Sequence, residues 1–118
     1  MRKFYSGLLL LAAGVLFAGK LSAQISVTAS AGTPTGSYTS LKLAFDAINA
    51  GTHQGNIQIS VTGSTTEPAM AVLNGTSIAP ANYSSILIKP ADGANPTITG
   101  NVPGAATIKF NGADNVTK

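Results

Sequence analysis

Residues 86–92 read ILIKPAD and residues 108–114 read IKFNGAD, 22 positions further on. Laid over one another they superpose Ile86 on Ile108, Ile88 on Phe110, Ala91 on Ala113 and Asp92 on Asp114. Hydrophobic alternation alone marks strands, but a turn residue returning at the same phase marks a weak internal repeat, with a period in the range of solenoid turns. Two architectures use such runs. A small β-sandwich brings a strand every 8–12 residues, with no need to repeat its turn residues in phase. A parallel β-helix stacks equivalent positions of successive turns directly above one another, and the recurring Ala-Asp favours it.

The surrounding chain agrees with a mainly β fold. NIQISVTG at residues 56–63 alternates Ile57, Ile59 and Val61 with Gln58, Ser60 and Thr62, which is the period-two pattern of a half-buried strand. Ile57 precedes Ile86 by 29 residues. Shorter β segments around Val72 and Ile98 fit as the other sides of a coil. Upstream, Ile25 and Val27 alternate with Ser26 and Thr28 in one strand, and SLKLAFDAINAG then changes period. Leu41, Ala44, Phe45 and Ile48 fall at i, i+3, i+4 and i+7, giving one apolar stripe on a helix of about 40–50. Thr39 or Ser40 is placed to cap its start and Gly51 to end it. That stripe is the candidate cover for an open end of the β structure, whose strand edges and apolar interior need one.

Residues 1–23 read as a signal peptide: Arg2 and Lys3 precede an apolar run from Leu8 to Ala18, and Leu21-Ser22-Ala23 supplies a cleavage site before Gln24. Lys20 closes the run well short of the about 20 apolar residues that span hydrocarbon, so no transmembrane segment is expected in the mature chain. Residues 24–54 then hold the strand and capping helix, and residues 55–118 the first turns. Without the leader four lysines face four acids and the formal charge is zero. The basic residues stand singly, which excludes a phosphate-binding patch and hence nucleic acid as a partner. Cysteine is absent, so neither disulfides nor metal thiolates hold the fold.

Chemistry-bearing residues are few. Asp92 and Asp114 are the one carboxylate pair that stacking would bring together, and with Asn95 and Asn115 they form the candidate oxygen set for calcium. The competing reading has these Asp and Asn side chains bonding their own turn backbones. His53 reads as a loop residue, and Asn74-Gly75 and Asn111-Gly112 as turn dipeptides. No catalytic or cofactor-binding set is assigned.

The stretches LKLAFDAINAGTHQGNIQISVTGSTTEPA, SSILIKPADGANPTITGN and IKFNGADNVTK together resemble the N-terminal part of large secreted or cell-surface proteins with right-handed parallel β-helix (pectin-lyase-like) domains, of the kind exported by the type IX route in Gram-negative bacteria. AFDAINAGTH and NGADNVT are the most specific pieces. The resemblance implies export through the secretion machinery to the cell surface or medium, or to the periplasm where a C-terminal part is needed for outer-membrane passage. It also implies a structural or adhesive module with glycans or cell-surface components as partners. The alternative is the front of a polysaccharide lyase or hydrolase whose active site lies beyond residue 118. Because Val116 and Thr117 begin a new strand and solenoids need several turns, the expectation is a chain that continues in a longer protein; the alternative is a small domain with a short last strand.

Overall fold

The computed structural model describes residues 23–118; the leader reading at residues 1–22 lies outside them. The first strand, β1 (Ile25–Gly32), turns back at once into β2 (Thr35–Tyr38), with Ile25 opposite Tyr38 and Thr28 opposite Thr35. The N-terminal cap thus holds an antiparallel hairpin where the sequence suggested a single strand. β1 also pairs antiparallel with β3 (His53–Val61), placing Val27 opposite Ile59 and Ala29 opposite Ile57.

Between them lies α1 (Leu41–Asn49). Its four stripe residues, Leu41, Ala44, Phe45 and Ile48, are all buried, as the spacing required. Ser40 is the cap residue, its hydroxyl accepting from the Leu43 N–H at 3.2 Å. At the other end Gly51 takes φ +78°, the Gly51 N–H bonds to the Ile48 carbonyl and the Thr52 N–H to that of Ala47, so the last carbonyls are satisfied.

From β3 onward the pairing becomes parallel. The chain runs through β4 (Thr65–Thr66) and β5 (Ala71–Asn74) into β6 (Tyr83–Pro90), which lies parallel on β3 with Ile57 opposite Ile86 and Ile59 opposite Ile88. It then passes β7 (Ile98–Thr99), parallel on β4, and β8 (Ile108–Asn111), parallel on β5, before β9 (Val116–Thr117) joins β6 with Val116 opposite Ile86. The result is a mainly β fold with one helix among the described residues: a mixed five-stranded sheet ordered β2-β1-β3-β6-β9 and two smaller two-stranded parallel sheets. Because side chains alternate across a strand, one face of every run turns inward. Ile25, Val27, Ile57, Ile59, Val61, Ala71, Leu73 and Ile86 meet the helix stripe in one core.

The 22-residue superposition is not the stacking of these strands. Ile108 sits opposite Ala71 and Phe110 opposite Leu73, 37 positions away, whereas Ile86 stands between Ile57 and Val116. The turn after each strand sets that register. Asn111 lies over Asn74, its Nδ2 donating to Asn74 Oδ1 at 3.0 Å, and the Gly75 N–H donates to the Asn111 carbonyl at 2.9 Å. Backbones approach so closely there that a Cβ on Gly75 would lie 2.1 Å from the Gly112 oxygen. Alternating apolar residues tolerate many partners; a side-chain ladder over two glycine turns tolerates one.

Candidate functional site

The four oxygen-bearing residues singled out in the sequence divide into two groups. Asn115 and Asp114 lie beside the start of β6: the Asn115 carbonyl accepts from the Ile86 N–H at 3.0 Å, and the Asp114 charge reaches Tyr83. Asp92 follows the far end of the same strand, past Pro90. At about 3.3 Å per residue the separation along the strand is on the order of 20–25 Å, beyond the 5–10 Å of a glycosidase carboxylate pair and beyond any shared ion. Asn95 lines a separate cavity of about 280 Å³ with Val61, Ile88, Ile98 and Lys118. Among the described residues no three or more His, Asp or Glu side chains cluster as a metal site would require.

Two titratable side chains assigned no role from the sequence, His53 and Glu67, are fully buried instead. His53 is not a loop residue; it opens β3 with no exposed surface. Its Nδ1 meets the Thr33 carbonyl at 2.7 Å and its Nε2 the Tyr38 hydroxyl at 2.7 Å. A carbonyl only accepts, so Nδ1 carries a hydrogen, and in the neutral ring Nε2 accepts from Tyr38. The two rings meet edge to face with centroids 5.9 Å apart, and burial pushes the Tyr38 phenol up from its ordinary value. Glu67, equally buried, accepts from the Leu41 N–H at 3.1 Å, the Lys42 N–H at 2.7 Å and the Thr65 hydroxyl at 2.6 Å. A carboxylate is thereby held at the positive end of α1, against N–H groups that have no partner within the helix. Both residues tie the cap to the sheets. Glu67 stands in STTEPAM, a polar stretch that carries no signal of burial; only its position just ahead of an apolar strand hinted at contact.

A groove with room for a ligand lies on the outer face of the five-stranded sheet. This groove, of about 390 Å³, crosses β1, β3 and β6, within the range of about 300–1,000 Å³ usual for ligand clefts. Thr28, Gln58 and Leu87 are in register across it, and Ser30, Asn56 and Ser85 flank the neighbouring row. The Ser85 hydroxyl donates to Asn56 Oδ1 at 3.0 Å, and the Asn56 N–H donates to Ser30 Oγ at 2.8 Å. No family model, curated protein or solved structure matches this chain.

The groove's lining is uncharged, hydroxyl- and amide-bearing, with Leu87 as its exposed aliphatic side chain. The lining holds hydrogen-bond donors and acceptors but no side chain that exchanges a proton at neutral pH. Among the described residues no helix is long and apolar enough to cross a membrane.

Proposed function

We propose that the chain is an exported structural or adhesive module, built as an N-terminal cap followed by the first turns of a right-handed parallel β-helix, with glycans or other cell-surface components as its partners. One observation carries this reading: β3, β4 and β5 are followed by β6, β7 and β8 in the same order, each laid parallel on its counterpart, and β9 begins the series again. A sandwich has no reason to repeat three sheets in sequence, whereas a coil does so with every turn. The cap supports it as well. α1 and the β1–β2 hairpin cover one end of the core, where an uncovered coil would present strand edges.

The test is export. Expressed from its own start codon in a bacterial host, the protein is expected outside the cytoplasm with its mature N-terminus at Gln24, measured by intact mass. As an adhesive component it should also be labelled on intact cells by a reagent that does not enter them, or be recovered from the medium. A cytoplasmic product retaining Met1 overturns the proposal.

A further inference from the structure

We propose that the groove across β1, β3 and β6 is a binding site for an uncharged, hydroxyl-rich ligand, namely a short run of sugar residues in a neutral polysaccharide; the choice of a glycan rests on the extracellular reading above. The groove is built, in the sense that two irregularities of the sheet converge on it. The β1–β3 register slips between Ala29 and Ala31, where Gly55 and Asn56 of β3 stand against the single Ser30, and the β3–β6 register slips at Gly55/Asn56, where Ser84 of β6 is the extra residue. Bulges re-aim side chains and are frequent beside functional sites, and here one stands on each side of the same two residues of β3. Gly55 completes the arrangement. Its φ is +75°, and a Cβ there would lie 2.4 Å from Ser30 Oγ, so the absent side chain is what lets that hydroxyl sit over the strand.

The hydrogen bonds within the groove fix its polar groups while leaving others to a ligand. Ser30 Oγ accepts from the Asn56 N–H, which keeps its own hydrogen for donation; Asn56 Oδ1 is taken by Ser85, which leaves the amide NH₂ and the Ser85 lone pairs. Gln58 donates to Ser60 at 3.3 Å, leaving its carbonyl oxygen. Donors and acceptors therefore alternate within one small surface. Sugar hydroxyls, which are both, match it, and pre-bonded side chains lose little freedom on binding. An anion would find no cation in the lining, and a peptide adding as a strand needs an edge, whereas β3 is paired on both sides.

The experiment is a titration of the isotope-labelled protein, followed by backbone amide NMR, with hexasaccharides from a mannan, a β-glucan and a xylan, and with a hexagalacturonate as the charged comparator. At least one neutral oligosaccharide is expected to shift the signals of residues 28–30, 55–58 and 84–87, with a Kd of about 1 mM in the absence of an aromatic platform. Asn56→Ala should weaken binding about five- to tenfold. Leu87→Lys, which alters an exposed side chain outside the hydrogen-bond network, should do likewise with the remaining spectrum unchanged. No shift in the groove with any neutral oligosaccharide at about 10 mM overturns the proposal, as does equal binding of the galacturonate. Export without oligosaccharide binding sinks the groove and leaves the module reading in place; binding by a protein confined to the cytoplasm sinks that reading and leaves the groove.

Discussion

Replacing Glu67 by alanine removes one acceptor group from three donors at once. The Leu41 N–H and the Thr65 hydroxyl are buried with it, and the Lys42 N–H is half-buried. A buried donor left without a partner costs about 1–3 kcal/mol. Removing an anion from a helix N-terminus adds about 0.3–1 kcal/mol, or up to about 2 in buried geometry. The Lys42 N–H recovers part of its loss from water. The expected total is about 3–5 kcal/mol, which is much of the 5–15 kcal/mol by which a domain is usually stable. With a shift of about 4–8 °C per kcal/mol for a domain of this size, melting should fall by roughly 12–40 °C. Glu67→Gln with its carbonyl oxygen at the Oε2 position keeps the bonds from the Leu41 N–H and the Thr65 hydroxyl and loses only that from the half-buried Lys42 N–H, so it should cost less than half as much. The assay is urea and thermal unfolding of the three proteins by circular dichroism. A loss below about 1 kcal/mol for Glu67→Ala, or equal losses for alanine and glutamine, would refute the role given to the carboxylate.

Three further outcomes are expected. Gly75→Ala drives a methyl group into the Gly112 carbonyl and should destabilise by about 1–3 kcal/mol or more; at Gly112 there is open space and the penalty comes only from φ +71°, so Gly112→Asn should be nearly neutral while Gly75→Asn is not, read by urea midpoints. Burial first, and then the Asp114 charge, raise the Tyr83 phenol above its ordinary value. A raised folded value means stability that is complete below the unfolded value of about 10 and is lost as pH climbs through the folded one; Asp114→Asn should move the phenolate absorbance of Tyr83 to lower pH, and no movement would contradict the contact. Cysteines at Val72 and Lys109, which are direct partners on β5 and β8, should oxidise to a disulfide, whereas cysteines at Leu87 and Lys109, partners only in the 22-residue superposition, should stay reduced under thiol titration.

The elements were legible because each obeys a period that its own residues state. Ile57, Ile59 and Val61 can face one core only as a strand, and Leu41, Ala44, Phe45 and Ile48 only as a helix. The stacking was less legible, since the offsets between paired positions are 29 for Ile57 and Ile86, 33 for Thr65 and Ile98, 37 for Ala71 and Ile108, and 30 for Ile86 and Val116. Connections of unequal length hide the in-order parallel pairing of the strands from any search for a fixed period. A usable signal was present in the Asn-Gly pairs at 74–75 and 111–112, which stack directly, whereas the Ala-Asp pairs do not. The groove was hardly legible. Its polar rows look like the solvent face of any strand, and the two bulges that shape it show only once β1, β3 and β6 are paired, with Gly55 alone marking them in the sequence.

The pairing pattern also sets a clock. Apart from the β1–β2 hairpin, every strand pairing joins residues at least 21 positions apart, so each closes a long loop before any contact repays it. Folds dominated by such distant pairs form in milliseconds to seconds, not microseconds. β3 is the strand through which the central sheet must grow, paired with β1 on one side and β6 on the other. The hairpin and β3 can close among residues 25–61 alone, the helix docks when Glu67 and β5 arrive, and from β6 onward each arriving strand finds its template already laid down. The topology thus allows assembly to follow the order of synthesis.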